Sequence, residues 1–548
     1  MGIPCYFARL IRDHSGVVQK LPDCRTCDWL MFDANSIIYD SARQIAYDGV
    51  DERFQNQLCM CVCRALDDYI ATVAPKTGVF IAFDGVAPAA KQDQQRQRRF
   101  KSMIETDLRT EKVESWSTTR ITPGTAFMEE LMSRVTSHFD NRNKVIVSTS
   151  HSRGEGEHKI FAYLRNNSSF RQLNVYVYGL DADLVMLGLM NVSTVKTLHL
   201  LREPPAFNRL ALDTEDLMTL SINELKNEVL ASTGVRRVED YVIACSLLGN
   251  DFLPKFPGLN IRSSGVDALL QSLRVCAKNP RFSLLEGNRV SKKGIQVLVD
   301  HLARGEESRV QTDMENKASK RRVGINENET VLNVIPKLAT DKERLIDVHS
   351  SGWRSRYWKY LMNGNSSLNV ERCCGNYLEG LAWVHHYYTG EQVDWSWKYN
   401  YAYPPTLTDL GRFVRNRRCI EAPTIKDTLG VSPSEQLKRV VPRPILKTIC
   451  PGMEGGTVGV DMEWAFCSYF WEGHVIFSEE NIDGSPGPAE TNTNAETEAV
   501  PPPEGRFAAE RGGSVEHRQW PKGNRRRSRV RGGNGGMERR LNQVKGTV

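Results

Sequence analysis

The sequence predicts an α/β fold, and two patterns carry that prediction: short apolar runs that end in a carboxylate, and helix-like stretches that follow them. WLMFD (29–33), GVFIAFD (78–84) and NVYVYGLDAD (174–183) are strand-like, built from the bulky, β-branched and aromatic residues that suit a pleated surface. VIVSTSHSRGEGEHK (145–159) repeats the pattern with its acids delayed by one loop, and EGEHKIFAYLR then reads as a helix start. In an open α/β sheet, ligands gather beyond the carboxyl ends of the strands. The runs therefore direct Asp33, Asp84, Glu155, Glu157, Asp181 and Asp183 toward one edge, and Asp251 in the turn GNDFLP joins them.

Seven carboxylates in one cleft repel each other, so either their pKa values rise or divalent cations neutralise them. Hard oxygen donors select Mg²⁺ or Mn²⁺ over zinc, and two such ions about 3.5–4 Å apart suit phosphodiester cleavage. Each acid also has a plainer reading. Asp181 or Asp183 could cap a helix beginning at Leu184, Glu155 and Glu157 could face a helix dipole, and Asp251 could serve its turn. Recurrence at several strand ends, twice as a closely spaced pair, favours the joint metal centre.

The stretch FDGVAPAAKQDQQRQRRFK sets Lys91, Gln95, Arg98 and Arg99 at offsets of four, seven and eight, one face of a helix starting a turn after Asp84. A charge run is usually a solvated face. Beside a metal site, forked guanidiniums, an amide and a lysine suit a phosphate.

These segments resemble the Xrn-type 5′-to-3′ exoribonucleases. The resemblance rests on MGIPCYFARL, FDANSIIYD, AFDGVAPAAKQDQQRQRRFK, ITPGTAFM, RGEGEHKIFAYLR, YGLDADLVMLGL and LLGNDFLPKFP, in the family's order, and on a weaker block, NYLEGLAWVHHYYTGEQVDWSWKYNYAYPP with CSYFWEGHV. It implies a nuclease core related to PIN and flap-endonuclease domains and, as substrate, single-stranded RNA with a 5′-monophosphate. By the same resemblance the seven acids fall on metal-binding positions, and Lys91, Gln95, Arg98 and Arg99 on positions that receive the 5′-phosphate. Tyr39 stands where the family has a base-stacking histidine, and tyrosine can still stack. The family's aromatic Pro-His run is replaced by Tyr399, Asn400, Tyr401, Ala402, Tyr403 and Pro404, which leaves the packing there open. A further base-stacking partner is expected among Trp383, Trp395 and Trp397, with Trp395 and Trp397 preferred; tryptophans in such a segment are also commonly core.

At 548 residues without tandem repeats, the chain reads as one catalytic unit with insertions. The expected divisions are a nuclease region (1–270), a variable helical and loop insertion (271–345), a second region packed on the first (346–480), and a disordered linker with a basic tail (481–548). In the insertion, VSKKGIQVLVDHLARGEESR looks helical and ENKASKRRVGINENE looks like an exposed loop. From Arg506 onward, 12 Lys or Arg face 3 Asp or Glu, a net of +9, while the chain totals +6; residues 1–505 thus carry −3. The Arg/Gly tail suits sequence-tolerant RNA contact or nuclear import.

Thirteen cysteines fit a reducing compartment, and the pair Cys24 and Cys27 lacks a second pair at zinc spacing, so both read as ordinary thiols. With no transmembrane-length apolar run and no signal-peptide core, an intracellular protein is expected, nuclear or cytoplasmic with a lean to the nucleus. It is expected to be monomeric, and a stabilising protein partner is allowed for. Two other readings compete: a flap-type DNA endonuclease, and an RNA-binding scaffold descended from a nuclease. The first would not need the basic face, and the second would be free to lose the acids.

Overall fold

The computed structural model describes residues 6–21, 26–109, 115–142, 144–179, 181–204, 217–322, 330–362, 364–456 and 458–479. Seven strands form the main sheet: β1 (Val18–Lys20), β2 (Trp29–Asp33), β3 (Gly78–Ala82), β4 (Val145–Ser148), β5 (Asn174–Tyr178), β6 (Thr197–Arg202) and β7 (Met218–Ser221). Their order is β1-β7-β6-β5-β2-β3-β4. Strands β2 to β6 are mutually parallel, β7 is antiparallel to β6, and β1 is antiparallel to β7. The chain moves outward from β2 through β3 to β4, then returns to β2's other side with β5. That reversal opens a crevice between the carboxyl ends of β2 and β5, where ligands bind in open α/β sheets. The expected mostly parallel sheet flanked by helices is met.

Both faces of the sheet are covered, which is why its strands read as continuous apolar runs. Alternation along β2 sends Leu30 and Phe32 to one face and Met31 to the other. The first face packs against Ile37 of helix α1 (Asn35–Gln44), Leu58, Val62 and Leu66 of α2 (Asp51–Val73), and Leu131 and Val135 of α4 (Ala126–Phe139). Between them in the chain lies α3 (Ala89–Leu108). The second face packs against Ile160 and Leu164 of α5 (Gly156–Asn166) and Leu184 and Leu187 of α6 (Asp183–Asn191).

That second cluster continues without a break into later segments: Leu269, Leu298, Trp353, Tyr377, Trp383 and Leu410 belong to it. The described parts of 1–270, 271–345 and 346–480 therefore contribute to one core. The long helix Ser367–Thr389 drives Trp383 into it, with the indole stacked on Trp397 at 5.2 Å and on Tyr387 at 4.8 Å. The divergent aromatic run still packs, with Tyr399 and Tyr403 both buried and the Tyr399 hydroxyl donating to the Tyr403 carbonyl at 2.9 Å.

Within the insertion, the helices Lys292–Ala303 and Glu306–Arg322 are present. The loop expected from residue 315 onward is corrected over 315–322, which continue the second helix; there Lys317 is buried and pairs with Glu343 at 2.6 Å. Met1–Cys5, Cys24 and the linker and tail from 480 onward lie outside the described residues. Cys27 is buried, with burial pushing its thiol up to about 12, as befits an ordinary core thiol. Among the described residues no helix is long and apolar enough to cross a membrane.

Because Trp383 ties the late helix to the sheet's core, Trp383→Ala is expected to cost about 3–5 kcal/mol of unfolding free energy. Denaturant titration should show a shifted midpoint and loss of the whole core together, and separate melting of residues beyond 346 would contradict a shared core.

Candidate metal centre

Asp33 is the last residue of β2, Asp84 follows β3 by two residues, and Asp181 follows β5 by three. Helix α5 brings its first turn against these strand ends because residue 156 is glycine. A Cβ there would sit 2.6 Å from Asp33 Oδ1 and 3.0 Å from the Ala82 carbonyl. The bare Gly156 N–H instead donates to Asp84 Oδ1 at 2.7 Å. The acids on either side, Glu155 and Glu157, are buried. Asn35 holds the other side of Asp84, its Nδ2 donating to Oδ2 at 2.7 Å and its Oδ1 accepting from the Asp84 N–H at 3.1 Å.

Glu157 and Asp183 do stand in first helical turns, but helix capping is not what the Glu155 and Asp183 side chains perform. Glu155 occupies the N-cap position of α5 and Ala182 that of α6, and neither helix has a side-chain cap hydrogen bond. The Asp183 N–H donates to Asp181 Oδ1 at 3.4 Å, while the Asp183 carboxylate turns to the cluster and accepts from the Tyr388 hydroxyl at 3.4 Å.

Lys91, near the start of α3, enters the cluster. Its Nζ lies 2.6 Å from Glu155 Oε1 and 2.7 Å from Asp251 Oδ2, and the ion pairs are nearly out of solvent. Burial alone would favour loss of its proton, yet Asp251, Glu155, Glu157 and Asp183 hold the ammonium well above the ordinary lysine value. Asp251 gains in return: burial raises its carboxyl, but Lys91 together with further positive charge, Arg98 included, outweighs that, and it sits below the usual range. One lysine does not balance the rest. Burial, with Asp84, Asp181 and Glu155 nearby, holds Asp33 well above the carboxylate range. Glu157 is raised by burial and by Glu155, Asp33 and Asp181, and Asp183 by burial and by Asp251 and Asp181. The structure thus brings all seven predicted acids into one mutually repelling group. An all-oxygen donor set with excess buried negative charge fits a divalent cation of the magnesium or manganese kind.

Four residues here escape sequence reasoning. The Tyr387 hydroxyl donates to Glu155 Oε2 at 2.9 Å, and Tyr388 reaches Asp183 from the same helix. His158 lies against Tyr387 with ring centroids 3.7 Å apart and has a ligand atom within 4.8 Å of those of Glu155 and Glu157. Burial, with Lys91 and Arg165 nearby, holds its pKa well below the ordinary value. Asn35 could have been suspected from its place two residues after Asp33; the tyrosines, more than 200 residues from the acids they touch, could not.

The other predicted cations share α3 without sharing Lys91's surroundings. Arg98 is exposed and helps to hold Asp251 low. Arg99 is half-buried. Its Nη2 donates to Thr122 Oγ1 at 2.6 Å, while its Nη1 and the Gln95 Oε1 are buried without partners. Burial brings Arg99 down to about 10, with Tyr39 opposing and Arg98 adding to the shift. Two orphaned polar atoms on one helix face are costly unless something completes them. Trp395 is half-buried beside the same helix, its carbonyl accepting from the Ala89 N–H at 2.8 Å. Trp397 departs from the stacking role expected of it. Its ring is enclosed between Trp383 and Gly380, where a Cβ would come within 2.8 Å, and it packs as core.

Residues 1–204 match the family described as XRN 5′-3′ exonuclease N-terminus, and residues 234–344 and 336–449 match the Xrn1 helical domain. Among similar proteins, 5′-3′ exoribonuclease 1 of Saccharomyces cerevisiae is 27% identical over 56% of this chain and 23% of its own length. The 5′-3′ exoribonuclease 2 homolog of Drosophila melanogaster is 25% identical over 81% of this chain and 64% of its own. The 5′-3′ exoribonuclease 2 of Schizosaccharomyces pombe is 29% identical over 50% and 36%. The chain thus spans less than two thirds of the length of each. Among solved structures, the catalytic core of Rad2 in complex with DNA substrate aligns at 11% identity over 80% of this chain and 99% of that one, at a TM-score of 0.34, too low to bear on function.

Lys91→Met should destabilise the metal-free protein by about 3–5 kcal/mol, since it leaves buried carboxylates unpaired, and thermal denaturation in chelator would measure it. Asp33, Glu157 and Asp183 have folded pKa values above their unfolded values. Their stabilising effect is present below the unfolded pKa, near 4, and is lost as pH rises. In chelator, Asp183→Asn should therefore melt higher than the wild type at pH 7, with the gain shrinking toward pH 4; no pH dependence in the difference would contradict the charge-excess account.

Proposed function

This chain belongs to the Xrn-type 5′-to-3′ exoribonuclease family, and on that premise we propose that it removes nucleotides one at a time from the 5′ end of single-stranded RNA bearing a 5′-monophosphate. The observation that carries this reading is the junction of two charge fields on α3: Lys91 buried among the acids, and Gln95, Arg98 and Arg99 a turn or two farther along, with buried polar atoms left unpaired. Acids alone would serve many phosphotransfer or hydrolytic reactions. An anion-seeking face on the same helix fits a substrate that ends in a phosphate.

In this reading the terminal phosphate meets the Arg98 and Arg99 guanidiniums and the Gln95 side chain, while Lys91 sits between that pocket and the acids. Tyr39, whose hydroxyl interacts with Arg99 electrostatically, and Trp395 beside the helix's start stack on the first bases. Asp33, Asp84, Glu155, Glu157, Asp181, Asp183 and Asp251 would hold two magnesium or manganese ions, which would supply an activated water and neutralise the departing 3′-oxygen. Tyr387 and Tyr388 orient Glu155 and Asp183 for that task through their hydroxyls. Release of a 5′-mononucleotide leaves a new 5′-phosphate at the same helix face, so successive cuts need no separate motor. A 5′-hydroxyl leaves the cations unpaired and binds poorly. The catalytic unit is taken as residues 1–480, with 271–345 as its insertion and 481–548 as linker and RNA-contacting or import tail, in a monomeric intracellular protein.

A 3′-labelled RNA carrying a 5′-monophosphate, 5′-hydroxyl or 5′-triphosphate, incubated with Mg²⁺ or chelator, tests this directly. Rapid Mg²⁺-dependent loss of the monophosphate form, abolished in Asp181→Ala, is expected. Internal fragments from all three would point to a flap-type endonuclease, and binding without cleavage to a scaffold. Arg99→Gln should reduce the preference for monophosphate over hydroxyl by about ten- to a hundredfold, the worth of one charge-assisted hydrogen bond. An unchanged ratio would remove Arg99 from the pocket.

A further inference from the structure

The tryptophan given above the role of stacking on a base is tied to α3 through its own stretch of chain. The Ala89 N–H donates to the Trp395 carbonyl at 2.8 Å, and three residues on, Lys398 Nζ pairs with Asp93 at 3.3 Å. Ala89 opens the helix that carries Lys91 into the acids and Gln95, Arg98 and Arg99 beyond them. The ring and the phosphate-seeking face are thus referred to one rigid element. What these ties leave open is rotation of the indole about its own side-chain bonds.

The turn over residues 427–430 limits that rotation. The Trp395 N–H donates to the Asp427 carbonyl at 2.7 Å, and the buried Asp394 carboxylate accepts from the Asp427 N–H at 3.0 Å. The Asp427 carboxylate in turn accepts from the N–H groups of Leu429 at 2.8 Å and Gly430 at 3.0 Å, which folds the turn back on itself. Gly430 thereby meets the indole. A Cβ there would lie 2.9 Å from Trp395 Cε3, inside the spacing at which carbon atoms pack, and the backbone stands at φ +66°. Glycine serves both needs, the left-handed conformation and the room for the ring's edge. The chain then continues into the helix Pro433–Val440, whose Gln436 accepts from the Ala87 N–H at 2.9 Å, two residues before α3 begins. The turn is therefore anchored to the same helix start against which it sets the ring.

We propose that Asp394, Asp427 and Gly430 are positioning residues for base stacking: they hold the Trp395 indole at one angle to α3, so that a base near the RNA 5′ end is received in fixed register with the phosphate on that helix. The proposal rests on the RNA-degrading reading above and extends it to residues outside the phosphate face and the metal centre. Its ligand is an unpaired base of any identity, since every base offers a π-face.

The test uses the full chain in chelator and short 5′-phosphorylated oligouridylates in which 2-aminopurine, whose emission falls on stacking, replaces the first or the second base. Trp395→Ala should restore emission at one of the two positions and weaken binding about tenfold, the worth of one base–aromatic stack. Gly430→Ala, whose methyl group displaces the ring, should restore emission at the same position and weaken binding severalfold. In the Trp395→Ala background, where no ring stands in its way, it should change binding by less than about twofold. Asp427→Ala should act like Gly430→Ala, whereas Asp427→Asn, which keeps an oxygen for the Leu429 and Gly430 N–H groups, should keep the wild-type emission. Wild-type quenching in both Gly430→Ala and Asp427→Ala would overturn the positioning role. So would an equal loss of binding from Gly430→Ala with and without the Trp395 ring, which reports a disturbed body. Parallel digestion with Mg²⁺ separates the two ideas: a wild type that degrades RNA while both variants stack the base normally sinks the positioning role alone, and a wild type that neither binds nor degrades RNA sinks both.

Discussion

The structure is organised around a surplus of negative charge that the fold itself cannot neutralise. Lys91 pairs with Glu155 and Asp251 at close range, and the surplus is visible in the acids it only partly offsets: Asp33, Glu157 and Asp183 all resist ionisation. Burying carboxylates in a low-dielectric crevice is unfavourable unless cations or protons join them. Asn35, Gly156, Lys91, Tyr387 and Tyr388, packed around the crevice, each bond to one of these acids. Such an arrangement trades apo stability for affinity toward cations, a bargain common to sites that act on phosphates.

Holding it in place is a matter of close backbone approach. The sheet reverses its order between β2 and β5, so Asp33 and Asp181 emerge side by side. Gly156 lets α5 press against Asp33, and the loop after β3 is pinned by the Gly85 N–H donating to the Gly154 carbonyl at 2.9 Å and the Gly154 N–H donating to the Val86 carbonyl at 2.8 Å. At Gly85 a Cβ would lie 1.8 Å from the Ser152 carbonyl. Gly85 and Gly156 are therefore there for contact distance, which a side chain of any kind would spoil, whereas Gly154 is there for its φ of +93°.

The later half of the chain completes the centre rather than standing apart from it. Helix Ser367–Thr389 places Trp383 in the common core and extends Tyr387 and Tyr388 onto two of the acids. Phe252, next to Asp251, packs on both Trp383 and Tyr387, so the aromatic stack also sets the position of an acid. Changes in this helix will be felt at the crevice, because packing and site geometry run through the same rings.

Strand runs, the seven acids and the α3 face were legible in the sequence because each depends on local order: short continuous apolar runs, a carboxylate at or just after a strand end, offsets of four and seven on a helix. Less accessible was what depends on distant segments meeting. Lys91 reads as one of four phosphate-seeking residues, and only the fold turns it into the acids' counter-charge, since Asp251 lies 160 residues away. Trp397 and Trp395 look alike in sequence, yet burial by Trp383 and Gly380 takes one into the core. Helix continuation through 315–322 was hidden by its polar composition, since Lys317 gains its partner from Glu343, outside the segment. The sequence by itself determined which chemistry was available and along which elements; the tertiary structure alone decided which charges neutralise each other, because electrostatic energies depend on distance and burial, and neither is a property of a residue's place in the chain.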